Sequence, residues 1–212
     1  MILTNDYIVP GQLLEFRDPF LFTDMHSHVG ELCWYLRQSG VTCFSVRGKS
    51  ARTVVDMFDE FIPALQFPSF CAKNWGAFDE CLCDLASWIF LGNAIVIVMA
   101  DADQAMIDDP DGAQLGYFVG AISEAAATYG VPDLTGPLCT QRAAIPFHIV
   151  LDFQDENGPE RWKQAGAPLV PLDTAGLRQI ISETEAESRR AMEDELAMLR
   201  LTQNDRQPWV PR

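Results

Sequence analysis

The sequence predicts an α/β domain built on a small parallel sheet. Three observations carry that expectation. The run Ala94-Ile95-Val96-Ile97-Val98-Met99 is apolar without alternation, as a strand covered on both faces should be. Two more strand-like runs, Val41 to Val46 and Ile145 to Phe153, flank it in the chain. Helical periodicity fills the segments between, and crossovers that contain helices imply parallel strands with right-handed connections.

The elements follow in order. Leu14-Glu15-Phe16 and Phe20-Leu21-Phe22 read as short strands interrupted by Asp18-Pro19. Ser27 reads as the N-cap of a helix with Val29, Leu32, Cys33 and Leu36 on one face and Gly40 as its stop. After the strand at 41–46, Ser50 is the expected cap of a helix whose buried stripe is Val54, Phe58, Phe61, Ile62 and Leu65. Pro63 should end or kink it near Ile62. A second helix is expected from Asn74 to Ser87. A third runs from Gln114 to Tyr129 after an acidic loop, with Leu115, Phe118, Val119, Ile122 and Ala126 inward. Pro146 stands at the start of the last strand, where proline is tolerated.

This gives a domain over about 41–155, with residues 1–40 as an N-terminal extension packed on it. Residues 154–171 are rich in Gly, Pro and charge and read as a linker. A long helix begins at Asp173 or Thr174, and an extended tail closes the chain. Leu177, Ile180, Ile181, Thr184, Leu196 and Leu199 make short apolar stripes on that helix, which would allow a homodimer.

Composition narrows the function classes. A formal net charge of −15 disfavours nucleic acid and anionic membrane as partners and favours a basic one. The apolar runs are too short to span a bilayer, and no signal-peptide pattern opens the chain, so the expected address is the cytoplasm. Six scattered cysteines, most inside apolar patterns, fit a reduced compartment.

The segment Phe67 to Trp88, FPSFCAKNWGAFDECLCDLASW, carries most of the functional information. At helical spacing Trp75, Phe78, Cys81, Leu82, Leu85 and Trp88 share one face. Gly76, Asp79, Glu80, Cys83, Asp84 and Ser87 share the other. Phe70, in the loop before the helix, is expected to be exposed and Trp75 buried.

This spelling resembles the barstar family, intracellular inhibitors of bacterial ribonucleases. The family pattern is an aromatic pair, a glycine, an asparagine, Asp-Ala, and a few residues later Asp-Cys-Leu. Phe67-Pro68 matches the entry into the loop, Phe70 the first aromatic, and Asn74, Ala77, Cys81 and Leu82 match outright. Glu80 stands where the family places its central partner-binding aspartate. Ile122-Ser123-Glu124-Ala125 resembles the place of a further carboxylate facing the nuclease. Cys71, Ala72, Gly76 and Asp79 depart from the pattern. A glycine in the first helical turn costs about 1 kcal/mol against alanine, and it makes room for a partner's side chain.

The resemblance implies a barstar-like sheet of three core strands and a non-enzymatic immunity role. The basic cleft of a ribonuclease toxin would be occupied by Glu80, Asp79, Gly76, Phe70, Asn74, Cys83, Asp84 and Glu124. An interaction module that kept the fold without inhibition is the alternative.

Other chemistry is weakly marked. Asp101-Ala102-Asp103 follows a strand directly, the position for a magnesium-dependent hydrolase site, but no phosphate loop accompanies it. His26-x-His28 and Cys81-x-Cys83 lack the ligand count or spacing for a metal. His148 reads as a satisfied core histidine. No cofactor motif is present.

Overall fold

The apolar run opens β3, the second of five strands in a single all-parallel sheet. In the computed structural model the described residues are 11–109, 112–135 and 141–174, with scattered positions from 178 to 193. In chain order the elements are β1 Phe20–Thr23, α1 Val29–Gln38, β2 Thr42–Arg47, α2 Val54–Ala64 and α3 Trp75–Cys83. There follow β3 Ile95–Ala100, α4 Ala113–Tyr129, β4 Phe147–Asp152, α5 Gly158–Gln164 and β5 Val170–Pro171. The strand order is β2-β3-β4-β1-β5. The three expected strands lie side by side; β1 joins on the far edge of β4, and the two-residue β5 finishes the sheet.

Register explains the two-faced burial. Phe44, Ile97, Ile149 and Phe20 stand opposite one another across four strands and feed one apolar cluster. Helices α2, α3, α4 and α5 cover that face, contributing Phe58, Phe61, Phe78, Leu82, Phe118, Ile122 and Trp162. Alternate residues Cys43, Val96, Val98, Val150 and Leu21 are buried on the other face. There α1 packs on β2, and Arg37 Nε donates to the Cys43 carbonyl at 2.9 Å. The fold class therefore holds: the three expected core strands are joined by β1, which forms where Phe20-Leu21-Phe22 read as a short strand, and by the unexpected β5.

Several local expectations are corrected. Leu14 closes a 3-10 turn, Gly11–Leu14, and no strand forms at 14–16. Ser27 lies inside a 3-10 turn, His26–His28, so His28 rather than Ser27 is the N-cap and α1 starts one residue later, at Val29. The cap of α2 is Thr53 rather than Ser50. Thr53 Oγ1 accepts the Asp56 N–H at 3.2 Å, and the Asp56 carboxylate accepts the Thr53 N–H, a reciprocal capping box. Pro63 sits within the last turn of α2, which continues to Ala64. The expected linker at 154–171 holds α5 and β5 instead. Trp162 of α5 is fully buried and donates its indole N–H to the Ala102 carbonyl at 3.0 Å.

Met1–Thr174 and Ala175–Arg212 form two separate units. In the second, the described positions, such as Arg178, Gln179, Ser182, Glu183, Arg189 and Arg190, are helical and exposed. The expected stripes at Leu177, Ile180, Ile181, Thr184, Leu196 and Leu199, the homodimer read from them, and the extended tail lie outside the described residues.

Candidate functional site

Asn74 begins the site. Its side-chain oxygen accepts the Ala77 N–H at 3.0 Å and caps α3. Helix α3 then runs only to Cys83, and a 3-10 turn, Leu85–Ser87, completes the expected span. Phe78, Cys81, Leu82 and Leu85 are buried as expected. Trp75 is only half-buried, a correction: its ring lies at the helix edge, against Phe58 (centroids 5.2 Å) and Tyr117 (6.1 Å), and its indole N–H donates to Gln114 at 2.8 Å.

The acidic residues of α3 split into two directions. Glu80 and Asp84 are exposed, and Asp84 accepts the Ser87 hydroxyl at 2.7 Å. Asp79 turns instead toward α4. With Trp75, Gly76, Tyr117, Gly120, Ala121 and Glu124 it lines a groove of about 420 Å³. Burial, with the Glu124 charge second, holds the Asp79 carboxyl above the usual carboxylate range. Asp79 Oδ1 is shut off from solvent and has no hydrogen-bond partner.

Cys83 lies near the same acids, and burial pushes its thiol up to about 11. Cys81 is buried and its thiol is raised to about 12, by burial first and Cys71 second. Both thiols are therefore inert packing groups at neutral pH. Phe70 is 79% exposed. The structure thus brings Gly76, Asp79 and Glu124 together at one groove. It leaves Glu80 and Asp84 on the adjoining open surface, gives Asn74 a capping duty, and holds Phe70 out on the preceding loop. Tyr117, Gly120 and Ala121 were missed by sequence reasoning; the i, i+3, i+4 spacing of Tyr117, Gly120 and Ala121 on α4 was the available signal.

The acids after β3 have other work. Asp103 is buried; Oδ1 accepts the Gln154 N–H at 2.9 Å and Oδ2 the Gln104 amide at 2.6 Å. Asp101 pairs with Lys49 at 3.4 Å. Among the described residues no group of three His, Cys, Asp or Glu is placed to hold a metal. His26 Nδ1 lies 3.4 Å from the fully buried Asp152. His148 is buried as expected, with Nδ1 3.3 Å from the Asp18 carbonyl, but its Nε2 has no partner. The core histidine is half satisfied, and burial depresses its basicity.

The fold and this acidic, helix-borne surface define a class: an α/β scaffold that offers carboxylates from two packed helices. The family model Barstar (barnase inhibitor) matches residues 41–152, just over half of the chain, and the protein belongs to the barstar family. The match begins just before β2 and ends with β4, so β1, α1, α5 and β5 lie outside it. A comparison with curated proteins gives no match. Among solved structures, a chain in "Structure of Drosophila ORC bound to AT-rich DNA and Cdc6" is similar at 15% identity and a TM-score of 0.43. That likeness spans 76% of this chain and 49% of the other, about half its length, and bears on no functional argument. Among the described residues no helix is long and apolar enough to cross a membrane.

Proposed function

We propose that this chain is a cytoplasmic inhibitor of a basic ribonuclease, an immunity protein that shields its own cell from a toxin. What supports the reading is the meeting of Asp79 and Glu124 at a groove between two packed helices, with Glu80 and Asp84 exposed beside it in sequence, in a chain of net charge −15. A ribonuclease grips phosphates with basic side chains, and carboxylates on a rigid helix take the phosphate positions through charge-assisted hydrogen bonds. Opposite fields accelerate the encounter, an effect for which the barnase–barstar pair is itself the usual illustration.

The test is an RNA-cleavage assay with barnase and with any basic secreted ribonuclease encoded beside this chain, titrated with the purified protein. Inhibition should saturate at one-to-one. Glu80→Ala should weaken it by at least about 2 kcal/mol, roughly thirtyfold in Kd. Absence of inhibition with every such nuclease, or an unchanged Kd in Glu80→Ala, sinks the assignment of this face. The departures at Cys71, Ala72 and Gly76 favour a second reading, an interaction module on the same fold that inhibits nothing. It predicts a partner that binds the acidic face and has no nuclease activity.

A further inference from the structure

Two thiols meet on the sheet face opposite the acidic helices. Cys33 comes from the middle of α1 and Cys43 from the start of β2, and both are buried, at 3% and 6% exposure. The Cys43 thiol and the Ser45 hydroxyl donate hydrogen bonds to the Cys33 sulfur. The Cys43 proton has the Phe44 carbonyl, 3.9 Å from its sulfur, as an alternative acceptor. Arg37, one helical turn after Cys33, places its charge near the same sulfur and donates Nε to the Cys43 carbonyl at 2.9 Å.

Two donors and a guanidinium are the surroundings that stabilise a thiolate. The Cys43 bond first, then Ser45 and Arg37, hold the Cys33 thiol below the ordinary cysteine range, while burial opposes them. Cys43 is pushed the other way, by its bond to Cys33 first and by burial second, so it keeps its proton. A second thiol contact in the molecule lacks this asymmetry. Cys81 touches Cys71, but burial pushes Cys81 up to about 12, and Glu80 and Asp84 add negative charge beside it. Position also favours the first pair. β2 is an edge strand of the sheet, and Ser45 and Arg37 are exposed. The two sulfurs lie beneath this polar rim, within reach of a small molecule and too deep for a bulky reagent.

We infer that Cys33 and Cys43 are a modification site, a dithiol that hydrogen peroxide converts to a disulfide, with Cys33 the attacking sulfur and Cys43 the resolving one. The Cys33 thiolate attacks one peroxide oxygen. The O–O bond breaks, the sulfur is oxidised to sulfenic acid, and the second oxygen leaves as water with the proton the thiol gave up. The Cys43 sulfur then attacks the sulfenic sulfur. The S–O bond breaks, and hydroxide leaves with the Cys43 proton as a second water. Two thiols and one hydrogen peroxide thus give one disulfide and two waters. The bond fastens α1, which precedes the family-matched region, to β2, the first strand within it. In a reducing compartment such a bond is transient, the behaviour of a redox sensor rather than of a structural staple.

The experiment exposes the reduced full chain to hydrogen peroxide and maps its proteolytic peptides by mass spectrometry. The expected product is a Cys33–Cys43 cross-linked peptide pair, reversed by dithiothreitol and formed at least about tenfold faster than a bond between any other two cysteines. In Cys43→Ala, dimedone should trap sulfenic acid at Cys33; in Cys33→Ala, Cys43 should stay a free thiol. Oxidised glutathione at equal concentration should form the bond at least about tenfold more slowly, because the sulfurs are buried. Mapping of the parent decides the matter even where an alanine variant does not fold. The inference is overturned if peroxide leaves Cys33 and Cys43 as thiols, if Cys71–Cys81 is the first bond to form, or if dimedone labels Cys43 in Cys33→Ala. A bond that forms as fast with oxidised glutathione overturns peroxide as the oxidant.

Discussion

Replacing Tyr129 by phenylalanine measures how firmly the end of α3 is tied to the scaffold. Tyr129 ends α4 and is fully buried. Its ring stacks on Phe147 at 5.7 Å and 8°, and the Arg142 guanidinium lies 4.5 Å from the ring centroid. Its hydroxyl oxygen accepts the backbone N–H of Leu85 at 2.7 Å, in the turn directly after α3. Phenylalanine keeps the ring and removes only that acceptor. Leu85 is itself fully buried, so water does not replace the lost oxygen. A buried donor left unpaired costs about 1–3 kcal/mol. In a unit of this size each kcal/mol moves Tm by roughly 2–4 °C, so the expected fall is about 2–12 °C. Urea unfolding should show a lower midpoint with an unchanged slope. Hydrogen exchange should report faster opening at the Leu85 amide than at amides of β3. A stability within about 0.5 kcal/mol of the parent, with Leu85 still protected, would refute the reasoning.

Two further substitutions probe other parts of the same account. Asp79 has a raised carboxyl pKa, so its protonation favours the folded state: this contribution is present below the ordinary carboxylate pKa and lost as pH rises through the raised value. Asp79→Asn mimics the protonated form; urea titrations from pH 4 to 8 should show it more stable than the parent at neutral pH, with the gap closing in acid. A gap that widens in acid contradicts the sign. Gly48→Ala places a Cβ 2.0 Å from the Asp101 carbonyl oxygen and 2.7 Å from its carbon. Backbone must move, so a loss above about 3 kcal/mol is expected; a loss under about 1 kcal/mol in chemical unfolding would mean that the β2 and β3 ends part easily.

What was legible in the sequence was what local spacing records. The buried runs at 95–99 and 147–152, the α4 stripe and the Asn74 cap all depend on residues within a turn or two of one another. The Thr53–Asp56 pair was equally local, and a threonine three residues before an acid is a readable capping signal. Long-range facts were not legible. Phe20 opposite Ile149 is a pairing between distant segments. Trp162 sits in a short helix between polar residues, and the tertiary site for its ring decides its burial. The candidate site divides in the same way. Spacing put Asp79 and Glu80 on one acidic side, but only the seating of α3 on α4 separates the acid in the groove from the one in open solvent. The side walls from Tyr117 and Trp75 depend on that seating too.

The position of β1 inside the sheet has a consequence for how this molecule is made. Its strand partner β4 lies about 130 residues further along the chain. At a synthesis rate of roughly 5–20 residues per second, the nascent Phe-Leu-Phe-Thr segment waits on the order of ten seconds for its neighbour. During that interval β2 and β3, already adjacent in order, meet first, and a sticky apolar edge stays uncovered near the ribosome. Slower translation therefore lengthens the time for which the apolar β1 segment has no strand partner.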